Sequence, residues 1–175
     1  VAEANDPYPG MDTTKKVFLK DAGWCWYEDP RAIIHQGKLV VGGISGVSGD
    51  IRVGIYDLEK EKMLGEVVLD EGFERDDHNS PVFYIRPDGS LLAMWAMHGQ
   101  EKYHYFRISD AKDYLKWGEL RVLEHDFDIP EGQNWRGVTY MNLYSIGKQE
   151  RLYNFFRDGP NYNPSFVSSD DHGLS

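Results

Sequence analysis

The chain has 175 residues, of which 41% are hydrophobic and 14% aromatic, enough for one domain with a sizeable core. Its 19 basic and 29 acidic residues give a formal net charge of -10, which disfavours binding to nucleic acids or anionic membranes through a positive face. No run of roughly 18 apolar residues is present, so we expect no membrane span. Cys25 is the only cysteine, which excludes an internal disulfide framework.

The first predicted elements form a hairpin followed by two further strands. In residues 30–45 (PRAIIHQGKLVVGGIS), two β-rich runs flank Gln36-Gly37, which supplies the positive φ that a tight hairpin needs. Residues 51–58 and 65–71 are again rich in β-branched side chains and predict a third and a fourth strand. We therefore expect a four-stranded antiparallel unit in the first third of the chain.

The same order of elements begins twice more along the chain. A second hairpin, at residues 80–99, turns at Asp88-Gly89, and a third, at residues 137–159, turns at Gly147. Between these hairpins lie two more predicted strands, at residues 103–109 and 119–126. The sequence thus predicts about three copies of one structural unit.

The spacing of the copies indicates the architecture. The hairpins begin at residues 30, 80 and 137, and intervals of about 50 residues are typical of propeller blades. We therefore predict an all-β propeller whose blades occupy approximately residues 24–75, 76–128 and 129–175. A β-sandwich is the structural alternative, because it is also built from many short strands. Since three blades cannot close a ring, we expect the chain to be the N-terminal part of a larger propeller.

The C-terminal segment contains a folding motif. Ser169, Asp171 and Gly173 occupy the fixed places of an S-x-D-x-G turn, which resembles the Asp-box of sialidase-type propellers. The segment from Ser109 to Trp117 looks like a degenerate copy of it. We interpret both as structural turns without a catalytic role.

The most polar segment lies at residues 71–81 (EGFERDDHNSP), between the first and second units. Loops between propeller blades line one rim of the central channel, so these side chains are expected to face a ligand. The alternative is a solvated loop built on Asx-type turns. The candidate ligand-facing residues are Arg75, Asp76, Asp77, His78 and Asn79.

Further candidates lie at strand ends in the second and third units. His98 ends an apolar strand just before Gly99, at the opposite end of the hairpin from His78, and the two can converge. In the third unit, Arg157 leaves an aromatic strand, where it can form a fork to a carboxylate or sulfate or instead pair with a neighbouring acid. Around the same hairpin lie Arg136, Tyr140 and Asn142.

A rim that carries histidine, tyrosine and arginine suits β-elimination from a uronic acid. That reaction removes the proton next to a carboxylate, so it requires cations or strong donors that stabilise the enolate-like intermediate. It also requires a base and an acid near the leaving glycosidic oxygen, roles that histidine and tyrosine can fill. Arg157 and one histidine suit neutralisation of the carboxylate.

Taken together, DDHNSP at residues 76–81, AMHG at 96–99, VTYMNLY at 138–144 and LYNFFRDG at 152–159 resemble the BNR-4 repeat proteins, among them the seven-bladed propeller ulvan lyases. The resemblance runs from about Trp24 to Gly173. It implies a secreted or periplasmic enzyme that cleaves the sulfated algal polysaccharide ulvan at its uronic acid. It also implies an anionic polysaccharide substrate, a monomer, and no cofactor for the chemistry. Some members of the group carry structural metal ions, but the ligands are not identifiable in this segment.

By motif, the catalytic residues of those lyases fall on His78, His98, Tyr140 and Arg157. The resemblance implies that His78 and Tyr140 are the base and the acid, in an order left open. It implies that Arg157 and His98 neutralise the carboxylate of the substrate. We expect substrate contacts from Arg75, Asn79, Arg136 and Asn142. Two other functions stay open: a non-catalytic glycan-binding propeller, and a sialidase-type glycoside hydrolase suggested by the Asp-box alone.

Overall fold

The structure is a computed structural model that describes residues 17–25, 28–29, 31–126, 137–148, 150–159 and 163–174. The described residues form three antiparallel sheets and one short 3-10 helix, with no α-helix among them. Within this described part, no helix is long and apolar enough to cross a membrane. The predicted all-β class is confirmed.

The first sheet, sheet 1, follows the order of the sequence, and each strand pairs with the next. Its first turn is the predicted Gln36-Gly37 pair, in which both residues have positive φ, 47° and 70°. Positive φ at both central positions matches the twist of the flanking strands, so the loop needs only two residues. The strands are β1 (Ala32–His35), β2 (Lys38–Ile44), β3 (Ile51–Asp57) and β4 (Lys62–Asp70).

Sheet 2 has the same topology, and sheet 3 has three strands among the described residues. β6 is buried along its whole length, which accounts for its unbroken apolar run, since it has no solvent face. The strands of sheet 2 are β5 (Val82–Ile85), β6 (Leu91–Trp95), β7 (Tyr103–Ile108) and β8 (Arg121–Glu124). Those of sheet 3 are β9 (Thr139–Ile146), β10 (Arg151–Asp158) and β11 (Asn163–Ser169).

The three sheets meet through their first strands, since β1 contacts β5 and β5 contacts β9. This is the arrangement of propeller blades around an axis. Between sheets 1 and 2 the packing is close, because a Cβ added at Gly42 would meet the Pro81 side chain at 2.6 Å. One apolar core runs through all three sheets, and it includes Val40, Trp95 and Met141, each fully buried.

The turns that flank sheets 2 and 3 are held by side-chain hydrogen bonds. In the C-terminal turn, the Ser169 hydroxyl oxygen accepts from the Gly173 amide at 2.8 Å, and Asp171 Oδ1 accepts from the Leu174 amide at 2.9 Å. In the degenerate copy of this motif, from Ser109 to Trp117, the fully buried aromatic side chain is Tyr114, whereas Trp117 is only partly buried. Tyr114 therefore packs between sheets 1 and 2, because its ring stacks on that of His35 and its hydroxyl donates to the Gly89 carbonyl.

Candidate functional site

The polar loop before sheet 2 contains an Asx-type turn that directs His78. Asp76 caps the 3-10 helix Asp77–Asn79, and its Oδ1 accepts from the backbone amide of His78 at 3.0 Å. An aspartate that caps a short helix satisfies an amide that has no partner within the helix. The two interpretations of this loop, an Asx turn and a ligand-facing segment, are therefore compatible.

Asp76 also joins two histidines that lie far apart in sequence. His78 Nδ1 lies 2.6 Å from Asp76 Oδ1, and His98 Nδ1 lies 2.8 Å from Asp76 Oδ2. The two imidazole rings stack with their centroids 3.7 Å apart and an interplanar angle of 18°. One carboxylate thus fixes both rings in a single orientation.

The electrostatics of this group follow from its hydrogen bonds. Burial opposes ionisation of Asp76, but the bonds it accepts from the His78 amide and from the rings of His98 and His78 outweigh burial and hold its pKa below the ordinary value. An ionised carboxylate only accepts hydrogen bonds, so the Nδ1 atoms of both rings carry hydrogen. In a neutral ring, Nε2 then holds the lone pair, which is the form needed in a base.

Tyr140 lies beside this pair in a strained backbone conformation. Its ring centroid is 5.5 Å from that of His78, and its φ is 63°, a value that few residues other than glycine adopt. The register between β9 and β10 shifts here, because Thr139 pairs with Arg157 and Asn142 with Phe155. A bulge of this kind redirects a side chain, and such strain is concentrated at functional sites.

Arg157 completes the group from the neighbouring strand. Its guanidinium carbon lies 5.1 Å from the centre of the Tyr140 ring, within the range of a cation–π contact. The structure thus brings together His78, His98, Tyr140 and Arg157. All four are partly exposed, and the side chains of His78 and His98 are 22% and 15% accessible. A ligand can reach this cluster, which we call the rim cluster.

Two of the predicted substrate-contacting residues do not belong to the rim cluster. Asn79 is fully buried, and its amide donates to Glu74 Oε2 at 2.7 Å, so it stabilises the loop from inside. This burial corrects the expectation that Asn79 faces a ligand. Arg75 is exposed, and its Nε donates to the Gly46 carbonyl in the turn between β2 and β3.

The other two predicted contacts belong to the third unit. Asn142 follows Tyr140 by two residues on β9, and its Oδ1 is buried without a hydrogen-bond partner among the described residues. Its backbone amide donates to Asn154 Oδ1 at 3.2 Å. Arg136 lies outside the described residues, so its role as a substrate contact stays a prediction.

The sequence alone did not identify the residues that organise the cluster. Asp76 was expected to face a ligand, yet its carboxylate binds both histidines. Glu74 Oε2 accepts from the His98 backbone amide at 3.1 Å, and its other oxygen accepts from the Gln100 side chain. The only available signal was an acidic residue two positions before His78, which is typical of an Asx turn but does not indicate a second histidine.

Two groups of side chains among the described residues bring together potential ligand atoms for a cation. Asp76, His78 and His98 each offer a ligand atom within 4.8 Å of the others, and Cys25, Asp77 and His78 form a second such set. In the first set, however, the Nδ1 atoms of the two rings lie 2.6 and 2.8 Å from the oxygens of Asp76, which is direct hydrogen-bond distance. We therefore assign these contacts to hydrogen bonds.

The fold and the rim cluster define a β-propeller protein with a polar site where adjacent sheets meet. The chain belongs to the BNR repeat-containing family, whose sequence profile matches residues 43–169. No curated protein sequence matches it.

Solved structures with a similar fold include polysaccharide lyases. A PL25 ulvan lyase bound to -[GlcA(1-4)Rha3S]- superposes with a TM-score of 0.65 at 16% identity, over 89% of this chain and 38% of that one. A second PL25 ulvan lyase structure gives a TM-score of 0.64 at 17% identity, with the same coverage. The polysaccharide lyase Uly1 gives 0.53 at 11% identity, over 89% of this chain and 42% of that one. The chain therefore spans about two fifths of the length of these neighbours, and the likeness shows the fold.

Proposed function

We propose that the protein is a secreted polysaccharide lyase that cleaves a sulfated, uronic-acid-containing polysaccharide of the ulvan type by β-elimination. The observation that carries the proposal is the rim cluster, in which two stacked histidines share one carboxylate beside a tyrosine and an arginine. Membership of the BNR family and the fold of the neighbouring lyases support it. Secretion follows from the size of such a polymer, which is degraded outside the cell.

The reaction breaks a C–O bond without adding water. A base removes the proton from the carbon next to the uronate carboxylate, and the freed electron pair forms a carbon–carbon double bond to the adjacent ring carbon. The glycosidic bond at that adjacent carbon breaks, and its oxygen takes a proton from an acid. The products are a shortened chain and an unsaturated uronate.

The carboxylate of the substrate must be neutralised before its neighbouring proton becomes acidic enough to remove. Arg157 offers a planar set of donors that matches a carboxylate, and its contact with the Tyr140 ring supports a role at the same sugar as Tyr140. His98, held by Asp76 and Glu74, supplies a second donor in its imidazolium form, in which Nε2 also carries a hydrogen. These donors stabilise the charge that develops as the proton leaves.

We assign His78 as the base and Tyr140 as the acid. Donation from His78 Nδ1 to Asp76 leaves Nε2 as the proton acceptor, the same logic by which a carboxylate orients the histidine of a hydrolase triad. The Tyr140 ring, 5.5 Å from the His78 ring, is close enough for both side chains to reach one glycosidic linkage.

The glucuronic acid and sulfated rhamnose bound by one neighbouring lyase provide a concrete substrate class. The chain has an overall charge of -10, so a polyanion must be attracted locally. Arg157 can meet the carboxylate, and the exposed Arg75, on the same loop as His78, can meet a sulfate.

The test is a product assay on the full-length protein that contains this chain. Incubation with ulvan should raise ultraviolet absorbance as conjugated, unsaturated uronate forms, and His78→Ala should abolish the rise. His35→Ala, which changes a histidine at the distant turn between β1 and β2, should leave it intact. Binding without any new absorbance would identify a glycan-binding protein, and no reaction with any uronate polymer would contradict the proposal.

A further inference from the structure

The unusual backbone of Tyr140 raises the question of what holds it. A positive φ at a non-glycine residue costs free energy and persists only where surrounding contacts enforce it. The bulge in the pairing of β9 with β10 removes part of the regular ladder that would otherwise fix this peptide. Contacts from outside sheet 3 must therefore contribute.

The first contact comes from sheet 2. The fully buried His104, on β7, places Nε2 3.3 Å from the Tyr140 carbonyl oxygen, and its Nδ1 lies 2.6 Å from His125 Nε2. The Phe156 ring packs against both imidazoles, with centroid distances of 4.9 and 4.7 Å. Phe156 is the β10 residue opposite the bulge, so the histidine pair supports both sides of the irregular segment.

The charge state of His104 determines which of its nitrogens donates and which accepts in these hydrogen bonds. Burial lowers the pKa of His104 to about 3, and the nearby His125 adds to the effect. A neutral imidazole has one donor and one acceptor nitrogen. Because a carbonyl only accepts, His104 Nε2 must donate to Tyr140, and His104 Nδ1 then accepts from His125.

The second contact comes from sheet 1. Arg31, whose side chain is 1% exposed, donates from Nη1 to the Met141 carbonyl at 2.8 Å, across 110 positions of sequence. The buried Glu28 lies 3.0 Å from Arg31 Nη2, and burial raises the pKa of its carboxyl to about 7 although Arg31 opposes the shift. Two consecutive carbonyls, those of Tyr140 and Met141, are thus held by side chains from two different sheets.

We propose that His104, supported by His125, and Arg31, supported by Glu28, are positioning residues that hold Tyr140 in the conformation needed for acid catalysis. The inference rests on the proposed lyase reaction, and it adds residues that do not themselves touch the substrate. None of them belongs to the rim cluster. His104 acts through the Tyr140 carbonyl, and Arg31 acts through the neighbouring Met141 carbonyl.

Two amide substitutions that differ in reach test the proposal. In His104→Gln the side-chain amide nitrogen reaches the position of Nε2 and can donate to the Tyr140 carbonyl. In His104→Asn it reaches only the position of Nδ1, on the side of His125. In full-length protein, we expect His104→Gln to keep kcat within about threefold and His104→Asn to lower it by about 10 to 100 fold, the effect of losing one well-placed hydrogen bond. KM should change little in both.

A readout independent of turnover separates this proposal from the proposed function. With tyrosines labelled in the backbone, the Tyr140 signal is assigned by its loss in Tyr140→Phe, and its Cα chemical shift reports φ. The shift should be retained in His104→Gln and move towards ordinary strand values in His104→Asn, whether or not the wild type is a lyase. An unmoved Tyr140 signal in folded His104→Asn, or equal kcat in the two variants of an active enzyme, would overturn the proposal.

Arg31 provides a second, independent pair of variants. Arg31→Lys keeps a cationic donor on an unbranched side chain, whereas Arg31→Met provides an unbranched side chain of similar length to lysine without the donor. We expect the Tyr140 shift to move more in Arg31→Met than in Arg31→Lys. The same displacement in both would contradict a role through this hydrogen bond.

Discussion

The protein contains two pairs of histidines in opposite surroundings. His78 and His98 stack face to face at 3.7 Å, are partly exposed, and both bind the carboxylate of Asp76. His104 and His125 meet edge to face at 4.8 Å, are buried, and bind each other. The first pair can exchange protons with a ligand, whereas the second is sealed in the core.

The difference shows how one residue type serves two purposes. A carboxylate and access to solvent allow an imidazole to gain and lose a proton, while burial favours the neutral ring. Burial accordingly lowers the pKa of both His104 and His125. The two pairs converge on Tyr140, because His78 lies against its ring and His104 holds its carbonyl.

The largest effect is expected from Tyr140→Phe. The substitution removes the hydroxyl that we assign as the acid but keeps the ring between His78 and Arg157, so substrate binding should persist. Loss of a general acid lowers kcat by about 10² to 10⁴ fold, measured as the initial rate of absorbance on ulvan. Tyr144→Phe, on the same strand, is the matched control, and an equal loss in both would point to a general defect of β9.

A smaller effect is expected from Asp76→Asn. An amide can accept from one histidine through its oxygen but offers hydrogens to the other, so one ring loses its anchor. We expect kcat to fall by about 10 to 100 fold. Asp77→Asn, which alters the carboxylate 3.2 Å from His78 Nδ1, should cost less. Equal losses would show that Asp76 has no special role in orienting the pair.

The buried pair makes a prediction about stability rather than rate. Because the pKa of His104 is lowered to about 3 in the folded protein, the unfolded chain binds more protons between pH 3 and its ordinary value of 6.5. This contribution to stability is complete above pH 6.5 and is lost as the pH falls. Relative to His104→Gln, the free energy of unfolding of the wild type should drop by about 2 kcal/mol from pH 7 to pH 5. Denaturant titrations at both pH values that give a constant difference would contradict a neutral, buried His104.

The smallest effect is expected far from both pairs. Ser169→Ala removes the hydroxyl that accepts from the Gly173 and Asp171 amides and donates to Asp171 Oδ1, so the partly exposed C-terminal turn loses these bonds at a net cost of about 1 kcal/mol. Thermal unfolding should detect the loss, while the rate on ulvan should not change. A change in the rate would show that this turn affects the rim cluster.

Much of the fold could be predicted from the sequence, because hairpins leave local signals. The Gln36-Gly37 turn and the strands on either side of it lie where the pattern placed them. The strand β11 (Asn163–Ser169) was not predicted, since its Asn, Pro and Ser residues are typical of loops and only pairing with β10 makes it a strand.

The candidate site was predictable only in part. Motifs indicated His78, His98, Tyr140 and Arg157, and the structure brings these side chains together. The bond of Asp76 to His98 and that of Arg31 to the Met141 carbonyl could not be predicted, because each joins residues far apart in sequence. Burial of Asn79 was also missed, since a polar loop gives no sign that one amide turns inward.

The most direct test of the central claim is whether oxygen from water enters the products when the glycosidic bond is cleaved. Full-length protein should degrade ulvan in water enriched with the heavy oxygen isotope, and mass spectrometry should follow the products. β-Elimination by the rim cluster predicts fragments with an unsaturated terminal uronate and no heavy oxygen incorporated by bond cleavage. Fragments with saturated uronate ends and heavy oxygen gained at the cleaved bond would identify a hydrolase and contradict the assignment of His78 and Tyr140.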